Sequence, residues 1–175
     1  MFIAHAPSGY LLGALAQRLK HSSLAPRTLM LACLAGATAP DLDLLYFYLV
    51  DDRQTHHHQY FSHWPLLWLG LVALNAAWLS VRRRSVCAQT GLAFALGGVL
   101  HMLLDSFVGD VWWLAPFHDQ AYALFSVPAR YKPWWLSFVL HWSFAIELLI
   151  CLAATVVYLH RHPSALEKRP CPPSA

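Results

Sequence analysis

Four apolar stretches, each close to the length that crosses a bilayer, dominate this sequence. They cover residues 29–50, 64–81, 86–108 and 136–159, and a shorter, weaker segment covers residues 3–19. About 20 apolar residues in a helix cross the hydrocarbon core, and a helix satisfies its own backbone hydrogen bonds there. The pattern therefore predicts an all-α integral membrane bundle of about five helices, four of them strong spans.

The composition supports a membrane protein and excludes other classes. Hydrophobic residues make up 58% of the 175 residues and charged residues only 12%, whereas soluble domains carry about 25% charged residues. The net charge of +3 is small and the basic residues form short clusters, so no nucleic-acid partner is expected. We expect one transmembrane helical domain at residues 1–162 and a disordered, Pro-rich cytoplasmic tail at residues 163–175.

The distribution of basic residues predicts the orientation, because cytoplasmic loops are enriched in Lys and Arg. If all five segments span, only Arg53, Arg130 and Lys132 fall on the outer side. A four-span version, with the first segment in the interface, keeps the same sidedness after Arg27. Both versions predict a multi-pass protein of the bacterial inner membrane. The inner side holds nine of the twelve basic residues: Arg18, Lys20, Arg27, Arg82, Arg83, Arg84, Arg161, Lys168 and Arg169.

Histidine and aspartate gather at one predicted depth. The chain has 11 His against nine acidic residues, and ionisable residues inside a membrane are costly unless they are paired. A helical rise of about 1.5 Å per residue puts the intramembrane ones about 18 to 28 Å from the inner face, in the outer third. His5 and the loop of residues 56–63 also lie on that side. The sequence thus predicts one shared site on the periplasmic side, near Asp41, Asp43, His101, Asp105 and His141.

His101 and Asp105 give the strongest local signal. Their i, i+4 spacing puts both side chains on one helix face, where they can share a Zn²⁺ ion or satisfy each other by a hydrogen bond. Asp41 and Asp43 are two residues apart and would point to different faces of a regular helix, although Pro40 can loosen the turn. One Asp then binds metal and the other orients a ligand His; the alternative is a pair of acidic residues at a helix start.

The loop of residues 56–63 carries four His. His58 and His63 lie nearest the next apolar stretch and are the better ligand candidates. For His56 and His57, a surface feature is the alternative. His118, Asp119 and Asp110, in the long outer loop, are interpreted as solvated residues.

These motifs together resemble those of a known family. In order and spacing, the sequence is similar to the LexA-binding, inner-membrane-associated hydrolases, also labelled membrane-bound metal-dependent hydrolases. The family's central block commonly reads His-Arg-Gly-x-Thr-His, whereas residues 58–63 here lack the Arg. The resemblance implies a distant relation to zinc phospholipases C and zinc single-strand nucleases, and hence phosphoester hydrolysis. The matching residues are His5, Gly9, Pro40, Asp41, Leu42, Asp43, His58, Ser62, His63, His101 and Asp105.

We therefore expect a metal-dependent hydrolase that acts on a phosphate ester of a lipid or lipid-linked substrate. The lipid bilayer is the expected partner. The expected cofactor is a divalent ion, with Zn²⁺ favoured and Mn²⁺ or Fe²⁺ as alternatives. Asp43 and Asp105 are the expected catalytic residues. The expected metal ligands are His5, Asp41, His58, His63, His101 and Asp105.

Three other functions remain open at this point. A bis-histidine haem protein would use His101 and His141, but leaves the Asp residues unexplained. A membrane di-iron oxidase or desaturase needs more His in paired boxes. A structural or regulatory protein would use the metal only to join helices, without an open coordination position.

Overall fold

Helices are the main secondary structure in the described part of the chain. The computed structural model describes residues 3–19, 23–133 and 135–162. Val111 and Tyr122 form an isolated antiparallel bridge, and no strand is present among these residues. The predicted tail of residues 163–175 lies outside them. Seven α-helices follow one another: α1 His5–Arg18, α2 Pro26–Thr38, α3 Asp43–Leu49, α4 Pro65–Val81, α5 Val86–Val108, α6 Trp135–Val139 and α7 Ser143–Arg161.

Two described helices, α5 and α7, are long and apolar enough to cross a membrane. Helix α2 and the segment Pro40–Leu49 form a third candidate span, bent by 55°. Helix α4 is apolar but has 17 residues. The prediction of an all-α membrane protein is confirmed, whereas the predicted number of five spanning helices is not.

Two of the predicted stretches are interrupted. Residues 29–50 break at Pro40, which lacks a backbone N–H and begins a 3-10 turn, Pro40–Leu42. Residues 136–159 break after Val139, where the imidazole of His141 pairs with the Ser143 hydroxyl at 2.8 Å. Such local side-chain bonds compete with a continuous helix. Both breaks lie at the end of the bundle where His and Asp gather.

Glycines allow the helices to approach one another closely. A Cβ on Gly9 of α1 would lie 2.7 Å from the Cβ of Ala37 in α2, and one on Gly36 would lie 1.9 Å from the Phe94 carbonyl oxygen of α5. Small residues at such crossings are typical of helix packing in membranes. They bring α1, α2 and α5 together as the scaffold of the polar cluster described below.

The two ends of the bundle differ in charge. At the end of α1, the Gln17 side chain accepts a hydrogen bond from Arg161 at the end of α7. The Ser23 backbone N–H donates to Gln89 near the start of α5 at 2.9 Å. Arg18 and the Arg82–Arg84 loop belong to this same end. The start of α1 and the end of α5, which carry His and Asp, lie at the opposite end.

Candidate metal centre

A buried pair on α5 forms the base of the cluster. His101 and Asp105 are 0% and 1% exposed, and His101 Nε2 lies 2.9 Å from Asp105 Oδ2. His101 Nδ1 lies 2.8 Å from the Ala37 carbonyl oxygen. A carbonyl only accepts, so Nδ1 carries a proton and Nε2 is the nitrogen that faces Asp105. Nε2 is therefore the nitrogen of His101 that would bind a metal.

Asp41 and His63 complete a set of donor atoms with this pair. His63 Nε2 lies 3.7 Å from both Asp41 Oδ1 and Asp105 Oδ2, and His101 Nε2 lies 3.6 Å from Asp41 Oδ1. These distances are too long for hydrogen bonds, and the fully buried His63 Nε2 has no hydrogen-bond partner among the described residues. Ligand atoms about 2.0–2.1 Å from a tetrahedral Zn²⁺ lie about 3.4 Å apart. The spacing therefore suits donors arranged around one ion.

Asp43 holds the other edge of His63. Its Oδ2 atom lies 2.5 Å from His63 Nδ1 and accepts a hydrogen bond from the Ser62 hydroxyl at 2.7 Å. A regular helix would send Asp41 and Asp43 in different directions. The 3-10 turn at Pro40–Leu42 instead lets Asp41 approach Nε2 and Asp43 approach Nδ1 of the same ring.

His58 approaches the cluster from the loop. Its Nε2 lies 3.6 Å from Asp105 Oδ2, while its Nδ1 donates to the Asp110 carbonyl oxygen at 2.8 Å. Burial holds the pKa of the His58 imidazole well below its usual value. The ring is therefore neutral at physiological pH, as a ligand must be.

His5 sits on the other side of Asp105. Its Nε2 lies 3.1 Å from Asp105 Oδ1, whereas the other three imidazoles face Oδ2. The His5 ring stacks on that of His101, with centroids 3.7 Å apart. The structure thus brings all six predicted ligands, and Asp43, into one buried cluster, with His5 at the outer carboxylate oxygen.

His57 also belongs to the cluster, although it was not among the expected ligands. Its Nδ1 lies 3.8 Å from Asp43 Oδ1, and its ring lies 4.2 Å from that of His58. His56 stacks on His57, with ring centroids 5.5 Å apart. Adjacency to His58 was the only available signal, because a run of three His does not reveal which rings turn inward.

Glu147 of α7 acts at the start of α1. Its carboxylate accepts hydrogen bonds from the backbone N–H groups of Ile3 at 2.6 Å and Ala4 at 3.2 Å. Glu147 is 4% exposed, and the residue that follows Ala4 is His5. An acidic residue in an apolar span signals a buried partner, but the sequence does not identify it.

The remaining polar candidates bond elsewhere. His118 lines a cavity of about 410 Å³. Asp119 accepts a hydrogen bond from the Trp112 indole at 2.7 Å. His141 pairs with Ser143. The described contacts of these three residues do not join them to the cluster around Asp105.

A cavity of about 620 Å³ reaches the cluster. Asp41, His57, His58 and Asp105 line it together with apolar residues of α3 and α6. The Asp41 side chain is 34% exposed, compared with 0% for His63 and His101. His63 and His101 are therefore shielded from solvent, whereas Asp41 is accessible through the cavity.

No curated protein and no solved structure matches the chain significantly. The family model described as YdjM inner membrane protein matches residues 1–164. The match supports the family indicated by the residue pattern and an inner-membrane location, and gives no support to hydrolase activity or to the likeness to zinc phospholipases C. The chain belongs to the YdjM inner membrane protein family.

Proposed function

We propose that the cluster binds a divalent metal ion, with Zn²⁺ as the favoured ion. We further propose that the protein hydrolyses a phosphate ester of a lipid or lipid-linked molecule on the periplasmic side. The observation that carries the proposal is the convergence of His63 Nε2 and His101 Nε2 on Asp41 and Asp105. These atoms face the same small volume, and those of His63, His101 and Asp105 are buried. A buried imidazole nitrogen without a hydrogen-bond partner points to a ligand.

Asp41, His63, His101 and Asp105 would be the central ligands. His58 adds a fifth donor at the same Asp105 oxygen. His5 would either bind the ion beside Asp105 Oδ1 or donate a hydrogen bond to that oxygen. Mixed imidazole and carboxylate donors without thiolate suit Zn²⁺ and also Mn²⁺ or Fe²⁺.

The residues around the donors support a reactive site. A bound divalent ion such as Zn²⁺ would supply an activated water as the nucleophile. Asp43 fixes the tautomer and orientation of His63. Asp41 and Asp105 line the cavity, where an ester group has access to them.

The charge of the two ends supports the periplasmic location of the site. Arg18, Arg82–Arg84 and Arg161 belong to the end away from the cluster. Basic residues mark the cytoplasmic side, so the cluster would face the periplasm.

A structural metal is the second candidate, and one observation favours it. The donors come from four separate segments: α1, the turn after α2, the loop before α4, and α5. An ion bound to them would join these segments whether or not it catalyses a reaction.

Metal analysis of the purified protein, before and after chelation, tests the metal site. We expect a stoichiometric divalent ion whose content and stabilising effect both fall in His101→Ala, because buried ligands left unpaired are costly. His162→Ala, at the exposed end of α7, is the control. A metal-free wild-type protein that is indifferent to chelators would contradict the proposal.

Activity on phospholipids and polyprenyl phosphates, with added Zn²⁺ or Mn²⁺, separates the two candidates. Asp105→Asn keeps the size of the side chain and removes its charge, so hydrolysis should fall in a folded protein. If the metal-loaded wild type hydrolyses none of these esters, the structural metal is the better description.

A further inference from the structure

The cavity beside the metal cluster has a polar floor. Asp41, His57, His58 and Asp105 form it, and the first, third and fourth of these are among the proposed ligands. The volume of about 620 Å³ lies within the range of about 300–1,000 Å³ that small-molecule sites occupy. The cavity is therefore large enough for much more than the water or ester group that the cluster itself would handle.

The walls of the cavity are apolar. Leu44, Phe47 and Tyr48 line it from α3, and their i, i+3 and i+4 spacing puts them on one helix face. Val108 at the end of α5 and Phe138 of α6 line it from the other elements. A side that offers mainly apolar contacts, next to a floor of carboxylates and imidazoles, fits an amphiphile rather than a small polar molecule.

The rim of the cavity is apolar and exposed. Tyr48 and Trp135 both line the cavity and are 54% and 45% exposed. Leu45 and Leu49, the neighbouring residues on α3, are exposed as well. In an inner membrane protein such a surface faces lipid, since exposed apolar patches of this kind are unfavourable in water. Exposed apolar residues of both α3 and α6 therefore border the cavity.

The charge of the lining narrows the class of ligand further. Among the described residues that line this cavity, none is Lys or Arg, and two are carboxylates. A soluble polyanion such as a nucleotide would find no basic side chain along these walls. The metal ion at the floor would then be the main positive charge in the cavity. One positive centre at the end of an apolar wall suits a ligand with one phosphate group at the end of an apolar chain.

We propose that this cavity binds one hydrocarbon chain of a membrane lipid, which enters from the bilayer between α3 and α6. The chain lies along Leu44, Phe47 and Phe138 and places its ester group against Asp41 and Asp105. The inference rests on the proposed function for the identity of the reacting group, and on the cavity for the chain.

Photo-crosslinking tests the position of the chain without any turnover. The probe is a hexadecylphosphonate with a diazirine on its chain, which has no hydrolysable ester bond, added to the metal-loaded protein in nanodiscs. We expect labelling in Asp43–Leu49 and Trp135–Val139 to exceed labelling of Leu148, Leu149 and Leu152, which are exposed on α7, by at least fivefold. Excess hexadecylphosphonate should remove this labelling, and ethylphosphonate should not.

Two matched variants test the walls. Leu44→Trp fills the cavity and should lower the labelling of α6 at least fivefold, whereas Leu45→Trp, at the exposed neighbouring position, should leave it within twofold. Metal content and the melting temperature are measured for both variants. If Leu44→Trp fails to fold, the competition by the two phosphonates in the wild type decides. Equal labelling of α3, α6 and α7, or equal competition by ethylphosphonate, would overturn the inference.

Hydrolysis assays separate the failure of this inference from the failure of the proposed function. Specific labelling of α3 and α6 without hydrolysis of any ester would leave the chain-binding site standing and remove the hydrolase. Hydrolysis of short, soluble phosphate esters with the same kcat/KM as their long-chain analogues would remove the chain-binding site and leave the hydrolase standing.

Discussion

The Asp43 carboxylate lies 2.5 Å from Nδ1 of His63, on the opposite edge of the ring from Asp41 and Asp105. The ring is 0% exposed. A carboxylate only accepts at this distance, so Nδ1 carries the proton and Nε2 is left as a donor of electrons. Asp43 therefore decides which nitrogen of His63 faces the cluster.

Asp43→Asn should weaken metal binding about 10- to 100-fold, the usual effect of losing a partner that orients a metal-bound His. The Asn amide can donate to Nδ1 and so favour the tautomer with a proton on Nε2. Competition with a calibrated chelator measures the change. Asp51→Asn is the control, because the described side-chain bonds of Asp51 go to Thr55. Equal affinity in Asp43→Asn and wild type would contradict this role.

Metal content and thermal stability should both fall on acidification. Burial depresses the pKa of His58 in the folded protein, so its contribution is present above the usual value of about 6.5 and is lost as the pH falls below it. We expect the melting temperature to fall between about pH 7 and pH 5. Thermal scans at each pH, with metal analysis of the same samples, measure it. His58→Gln should show a shallower slope, and an identical slope would rule out His58 as the source.

The helices that the sequence predicts best are those without interruptions. Residues 86–108 form α5 with the predicted limits, because no residue in that stretch breaks the helix. Residues 29–50 and 136–159 do not form single helices. Hydropathy alone does not register a proline turn or a local bond such as His141 to Ser143.

The members of the cluster differ in how far the sequence reveals them. The pair His101 and Asp105 follows from helical spacing alone. Asp41 lies near Nε2 of His63 and Asp43 near Nδ1. These different positions depend on a 3-10 turn and on the approach of His63 from another segment. The contact of Glu147 with the start of α1 joins residues more than 140 positions apart, which no local pattern encodes.

Labelling of single cysteines should confirm the orientation of the bundle. With Cys87, Cys151 and Cys171 replaced by Ala and the buried Cys33 retained, Gln54→Cys should react with an impermeant thiol reagent added to intact spheroplasts. Arg84→Cys should react only after permeabilisation, because its loop carries the positive charge of the cytoplasmic side. Both positions are exposed, so access depends on the side of the membrane. The opposite pattern would put the cluster on the cytoplasmic side.

Glu147 should act on the metal site through His5, although its own carboxylate bonds to the backbone of Ile3 and Ala4. Losing a buried hydrogen bond to a charged group costs about 1.5–3 kcal/mol. Glu147→Leu should therefore lower the melting temperature and release the start of α1, which moves His5 away from Asp105. Glu147→Gln keeps an oxygen that accepts from the same N–H groups and should restore most of the loss.

A double-mutant cycle distinguishes this coupling from a general loss of stability. If Glu147 acts by holding His5, metal affinity in His5→Ala combined with Glu147→Leu should equal that of His5→Ala alone, because the second change has nothing left to displace. Chelator competition gives the affinity of all four proteins, and thermal scans give their stability. If the two losses of affinity simply add, Glu147 supports the fold of α1 and α7 without positioning His5.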